Sequence, residues 1–301
     1  MSSIKNVAVA GATGSLGSVL VKQLVQDGFS VTALTRGGSD ALPAEVKARQ
    51  VDYNDPTSLK NALAGQDAVV STITTMGIDS QRNLIEAAVA SKIQRFIPSE
   101  FGCDLSNAKA RQLPVYGSKV QIQEALEAKT KGTETSYTYV YNNAFLDWGI
   151  DKGFLIDIKN KKLEVYNDGD ANVTFTPLPI VAKAVSAVLQ HPEDTKNTHV
   201  KVHGAKLTQN KFLELAQKVV GENGWEITKI STEEVQRKSY EELKSGQGNI
   251  MGAMIGFLKV AIYGDGYGGD FSSNNDNKLL GLKELSESEV EEVIRDRAKA
   301  V

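Results

Sequence analysis

At 301 residues the chain exceeds the roughly 100–200 of a typical domain, so one large unit or two fused ones are expected. An apolar share of 41 % can build a real core, and 24 % charged residues give an ordinary polar surface. With 34 basic and 37 acidic residues the net charge is −3, too balanced to favour nucleic acid or an anionic membrane as partner. The single cysteine, Cys103, excludes an internal disulfide and fits a reducing compartment. Neither a secretory leader nor a run near the ~18 apolar residues of a membrane helix is evident, so a cytoplasmic chain is expected, monomer or homodimer.

Strands and helices alternate with short connections over the first half, the pattern of a parallel sheet covered on both faces. Val7–Ala10 is the first strand. A helix follows over Gly14–Gln26, with Leu16, Leu20, Leu24 and Val25 on one face. Ser30–Thr35 and Lys47–Val51 are further strands, and Pro56–Ala64 a helix opened by its proline. Asp67–Ile73, Ser80–Ala90, Gln94–Pro98, Val115–Ala128 and Ser136–Tyr141 continue the alternation as strand, helix, strand, helix, strand.

After about residue 150 the rhythm breaks. Short strands are expected at Leu163–Tyr166 and Val173–Phe175, a helix near Ile180–Leu189, a strand around His199–His203 and a helix over Thr208–Val220. Two more helical regions, near 250–262 and 286–298, flank Gly264–Gly269. The charge runs Glu233–Lys244 and Glu284–Lys299 read as solvated helix faces. The division is therefore 1–150, with a return contribution from about 172–190, and 151–301 packed directly on it.

The first strand runs into Gly11, Ala12, Thr13, Gly14, Ser15, Leu16 and Gly17, and then a helix. One glycine permits the turn, another lets backbone approach a pyrophosphate, and the last lets helix and strand pack closely. The pyrophosphate would lie on the free N–H groups of the helix start. About 20 positions on, at the tip of the second strand, this arrangement reads the adenosine ribose. Asp or Glu there accepts from a 2′-hydroxyl. Arg36 instead offers a forked cation to a 2′-phosphate, with Gly37, Gly38 and Ser39 leaving room for it, so NADP(H) is the expected cofactor. Asp52 and Tyr53 are placed to flank the adenine. Thr72, Ile73, Thr74 and Thr75 fall where the cofactor crosses the carboxyl edge of the sheet.

The stretch Arg95-Phe96-Ile97-Pro98-Ser99-Glu100-Phe101-Gly102 closes the fifth strand. Together with the glycine loop, Arg36 and Asn142-Asn143-Ala144-Phe145, it resembles the isoflavone reductase-like (NmrA-like) branch of the atypical short-chain dehydrogenases. The segment GDGYGGDF and the later NKLLGLK are similar to fungal members. The resemblance spans nearly the whole chain. It implies a Rossmann-type, doubly wound α/β domain that binds NADPH, with a smaller C-terminal α+β substrate domain packed on it and a cleft between them. It further implies hydride delivery to a conjugated or benzylic carbon of a small, aromatic metabolite. NmrA-like regulators imply the other reading, a non-catalytic NADP(H) sensor acting through a protein partner.

In the reductases a lysine follows the PSEFG segment on a helix, and Lys119 matches it. Beside a nicotinamide it could be a general acid–base with a lowered pKa, or an electrostatic element that stays protonated. Pro98, Ser99, Glu100 and Phe101 are expected at the nicotinamide end, walled by Asn143 and Phe145. Phe101, Tyr116, Phe145 and Tyr267 are the expected substrate contacts, the last on a mobile glycine loop over the pocket. Tyr116 and Lys119 stand three apart, not the four of the ordinary Tyr-x-x-x-Lys pair, so Tyr116 is not read as the acid.

His199 and His203 share a strand face without other ligands, so no metal is expected. Cys103, with no cation evident beside it, reads as a buried thiol.

Overall fold

The computed structural model describes residues 3–38, 41–74, 77–245 and 248–299. The first half contains β1 (Asn6–Ala10), α1 (Ser15–Gln26), β2 (Ser30–Thr35), β3 (Lys47–Gln50), α2 (Pro56–Leu63), β4 (Ala68–Ser71), α3 (Ser80–Ala90) and β5 (Arg95–Ile97). A short α4 (Ala108–Arg111) and a 3-10 turn at Pro114–Tyr116 lead into α5 (Gly117–Thr130) and β6 (Ser136–Tyr141). Next come β7 (Ala144–Phe145), α6 (Leu146–Asp151), β8 (Lys162–Tyr166), β9 (Val173–Thr176), α7 (Leu178–Gln190) and β10 (Thr198–Lys201). The chain closes with β11 (Ala205–Leu207), α8 (Gln209–Val220), β12 (Glu226–Ile230), α9 (Thr232–Ser245), α10 (Ile250–Tyr263) and α11 (Glu287–Lys299).

Seven parallel strands form the main sheet in the order β10-β6-β5-β4-β1-β2-β3. Strand alternation splits their side chains between two cores. Val7, Val9, Val70 and Ile97 face α1 and α7, while Ala8, Ala10, Val69 and Phe96 face the side of α2, α3 and α5. α7 is nearly all small or branched apolar residues, and nine of its thirteen are buried, because it lies against both α1 and the sheet. β7, β9 and β11 make a second sheet, and β8 pairs with β12 in a third.

Arg95 opens the family-like motif, yet it is an internal clamp. Only 1 % exposed, it donates to Ser136, Thr138, Thr195 and the Pro192 carbonyl, tying β5 and β6 to the turn before β10. Burial pulls its pKa down to about 10, still cationic at neutral pH.

Three expectations need correction. The strand expected over 199–203 stops at Lys201, so His199 and His203 share no strand face. Past it the backbone is taken by the C-terminal segment: Lys201 N–H donates to Asp276, His203 N–H to Asn277, and Leu285 N–H to the Gly204 carbonyl. That strand also joins the main sheet beside β6 instead of standing in the second half. The helix expected from Val115 begins at Gly117, because Pro114 opens a tighter turn first. β7, α6, β11 and β12 were not anticipated. The first three are too short to show a period, and β12 (EITKI) is polar and exposed, held only by β8.

No described helix is long and apolar enough to cross a membrane. Among the described residues no cluster of three His, Cys, Asp or Glu side chains is placed to hold a metal.

Candidate active site

Strand order reverses between β1 and β4, and a crevice opens there beyond the strands' carboxyl ends. Its outer part, about 440 Å³, is lined by Gly11, Thr13, Gly14, Arg36, Tyr53 and Thr72–Thr74, among others. Its inner part, about 260 Å³, runs on through Gly14, Thr72, Ile73 and Thr74 to Ser99, Phe101, Lys119 and Phe145. The shared residues make it one cleft.

The glycine loop is shaped by close approach. Gly11 has φ +79°, and a Cβ there would meet the Thr72 carbonyl oxygen at 2.8 Å. A Cβ on Gly17 would stand 2.1 Å from the Gly11 oxygen, so only glycine lets α1 pack on the loop. Thr72 Oγ1 donates to the Ala10 and Gly11 carbonyls at 2.9 and 3.0 Å, fixing the loop to the end of β4. Gly14 caps α1 with no side-chain cap, and its first turn carries no acidic residue. The amides at this helix start therefore face the cleft uncapped and in a positive field, which suits a pyrophosphate.

Arg36 lies exposed just past β2. Its guanidinium has no hydrogen-bond or ion-pair partner among the described residues; only its backbone carbonyl is engaged, by Gln50. Asp52 and Tyr53 line a recess shared with Arg36, and Tyr53 also lines the outer cleft. Burial pushes the Tyr53 hydroxyl up to about 12 against the pull of Arg36, so it stays a neutral donor. The expectations on Ser39 and Thr75 lie outside the described residues.

At the inner end the tip of β5 is strained. Phe101 has φ +28°, a region costing a non-glycine residue about 1–3 kcal/mol, and Asn143 has φ +52°. Both Asn142 and Asn143 N–H groups donate to the Gly102 carbonyl, at 3.0 and 2.9 Å, which locks the β5 and β6 tips together. Ser99 is held by its Oγ on the Ile73 carbonyl, 2.7 Å, and by Gln81 on its N–H, 2.9 Å.

Lys119 sits in the first turn of α5, and its ammonium donates to the Glu100 carbonyl oxygen. Burial lowers its pKa, opposed by the charges of Glu100 and Cys103. Glu100 lines the cleft at 2 % exposure, and burial pushes its carboxyl up to about 7 against the pull of Lys119, Gln123 and Arg111. Lys119 also lies in electrostatic reach of Cys103, a cation that sequence spacing does not reveal. Burial still wins there: the thiol, which donates to Asn143 Oδ1 at 3.3 Å, is pushed up to about 11 and is unreactive.

Several expected site residues lie outside the cleft wall. Pro98 is buried at the end of β5, and Gly17 is buried under the loop. Asn143 is 2 % exposed and donates its amide to the Thr174 and Gly269 carbonyls, acting as a post behind Phe145. Tyr116 is 3 % exposed, in the core beside Cys103, because the 3-10 turn aims it inward. Tyr267 accepts from Gln236 and stacks near Lys109; its glycine loop is pinned by Asn107 and Asn143 and lines neither part of the cleft. The expected lid is thus a tethered loop on another face of Asn143.

Trp148, Leu178 and Ile78 line the inner end and were not anticipated. Asp147 accepts from the Trp148 N–H at 2.9 Å and the Leu178 N–H at 3.1 Å, so one carboxylate positions both walls. Phe145 ends β7 and Trp148 follows three residues on in α6, two large aromatics close enough in sequence to have flagged the pair.

The NmrA-like family model matches residues 3–254. The chain is 32 % identical over 294 residues to the oxidoreductase aprR of Aspergillus flavus, covering 94 % of this chain and 96 % of that one. It is 27 % identical to the isoflavone reductase homolog P3 of Arabidopsis thaliana, over 72 % of this chain and 75 % of the relative. The solved structure of AtPrR2 with NADP+ and (+)-pinoresinol superposes with a TM-score of 0.77 at 23 % identity, over 99 % of both chains. The isoflavone reductase-like resemblance of the sequence and the doubly wound sheet are thereby accounted for. The chain belongs to the NmrA-like family and is an oxidoreductase of that family.

Proposed function

We propose that this protein is an NADPH-dependent reductase acting on a conjugated or benzylic carbon of a small aromatic metabolite in the reducing cytoplasm. The observation that carries it is one cleft with an uncapped helix start and a guanidinium without a partner among the described residues at the outer end, and a half-buried lysine at the inner end. The open amides of α1 donate to the pyrophosphate, and Arg36 clamps the 2′-phosphate. Bound there, the cofactor supplies a hydride. Phe101, Phe145, Trp148 and Leu178 make the inner wall apolar, which excludes water and favours an aromatic substrate. Lys119 holds a proton at Nζ and gives it to the reduced substrate; burial lowers its pKa, which eases that transfer. Residues 151–301, apart from the return through about 172–190 and β10, form most of the substrate lobe.

The reading is supported further by the oxidoreductase relatives and by AtPrR2, whose structure holds NADP+ and (+)-pinoresinol. The test is NADPH oxidation against a panel of enones, isoflavonoids and benzylic ethers, with Lys119→Ala as control. Turnover lost in the variant supports the assignment. Tight NADPH binding without turnover of any compound assigns the chain instead to non-catalytic sensing.

A further inference from the structure

α10 (IMGAMIGFLKVAIY) carries one charged residue, Lys259. A lysine in an apolar helix ordinarily buries its stem and turns its ammonium to water. This one is 7 % exposed. Its ammonium donates to the Phe154 carbonyl oxygen and stands over two rings, 4.2 Å from the centroid of Phe154 and 5.5 Å from that of Tyr166. An ammonium has three N–H donors, and among the described residues only one of them meets an acceptor. The rings attract the charge without neutralising it, and Lys259 makes no ion pair among the described residues.

Lys259 forms part of the wall of two recesses of about 320 Å³ each, which share no lining residue with the cleft. One of them lies between α9 and α10 and is lined by Tyr166, Ile230, Val235, Ala253 and Ile255, among others. The other charged groups on that wall are exposed and engaged. Glu164 accepts from the Tyr166 hydroxyl at 2.7 Å, Lys238 pairs with Glu234 at 2.7 Å, and Glu242 accepts from the Asn249 N–H at 2.8 Å. Lys259 is the one buried charge there. Burial pulls its pKa down to about 8 against the pull of Glu164, so it stays mostly cationic at pH 7.

A buried cation without a counter-charge is costly, and an anion brought beside it lowers that cost. The apolar walls suit a ring, and the volume lies at the small end of ligand pockets. Glu164 and Glu242 on the same wall disfavour a dianion such as a phosphate ester.

We propose that this recess is a second ligand site, separate from the reductase cleft, which takes a small aromatic carboxylate with its acid group on Lys259 and its ring against Tyr166, Ile230 and Val235. The site stands whether or not the cleft reduces aromatic compounds.

Ligand-observed NMR titration of phenylacetate into the full chain at pH 7 tests it, with phenylacetamide as the uncharged match. A Kd of about 1 mM is expected for an acid of about ten heavy atoms, and binding of the amide about tenfold weaker or less. Lys259→Met keeps the apolar stem without the charge and should weaken the acid about tenfold or more. Lys119→Met removes the cation of the cleft and should leave acid binding within about twofold. Should Lys259→Met fail to fold, Ile255→Asp at the exposed rim serves, since a carboxylate there repels the acid and spares the amide. No binding of phenylacetate, equal binding of the amide, loss in Lys119→Met, or acid binding that neither Lys259→Met nor Ile255→Asp weakens overturns the proposal.

Discussion

The two ends of the cleft are built by opposite means. At the outer end the groups proposed to work are backbone amides and one exposed cation, and the shape comes from glycines that tolerate close approach. At the inner end they are side chains, half-buried Lys119 and buried Glu100, beside strained backbone at Phe101 and Asn143. The difference follows from the tasks. An anionic cofactor is held well by fixed dipoles and a cation that need never change state. Proton transfer is eased when a lysine holds its proton less tightly, and burial moves Lys119 in that direction.

The largest expected effect separates the two ends. Lys119→Met should lower kcat by about 10²–10⁴-fold, with NADPH affinity within a few-fold of wild type by calorimetry. A matching loss of affinity would show that the lysine mainly holds cofactor. Next, Gly17→Ala forces a Cβ to 2.1 Å from the Gly11 oxygen. A loss of about 1–3 kcal/mol in urea unfolding is expected, with NADPH binding lost at the outer end, since helix and loop must separate. A variant that melts and binds like wild type would remove the close-packing argument.

A further effect is a pH dependence. The Glu100 carboxyl, pushed up to about 7 from 4.5, binds its proton more tightly folded than unfolded. Its burial costs nothing below about pH 4.5, and stability is lost as pH rises through about 7. Glu100→Gln should therefore be more stable than wild type above pH 7, by about 1–3 kcal/mol after allowing for the lost attraction to Lys119, and indistinguishable near pH 4. Denaturant midpoints at both pH values check it. Equal stability at pH 8 would mean the carboxylate is better solvated than its burial implies.

Sequence reading reached the outer end well and the inner end poorly, for the same physical reason. Gly11, Gly14 and Gly17 shape the backbone, and Arg36 stands at a fixed offset past β2, so consecutive elements display them directly. The long, periodic helix over Ser80–Ala90 and the β-rich strand Ser136–Tyr141 were legible on the same grounds. The inner wall is assembled from separate segments, and side-chain direction decides membership. Tyr116 belongs to the motif yet turns into the core, whereas Trp148 and Leu178 enter through Asp147, a link between α6 and α7 that no local pattern announces. Tyr267 failed likewise, because a glycine-rich loop looks free until Asn107 and Asn143 are seen to tether it.

The central claim is that Arg36 reads a phosphate on the adenosine ribose, and calorimetry of NADPH against NADH on wild type and Arg36→Ala tests it most directly. Wild type is expected to prefer NADPH by about 1.5–3 kcal/mol, roughly ten- to a hundredfold, the span of hydrogen bonds to charged groups. Arg36→Ala should erase the preference by weakening NADPH alone. Equal affinity of the wild type for both cofactors, or a preference that survives the substitution, would contradict the account.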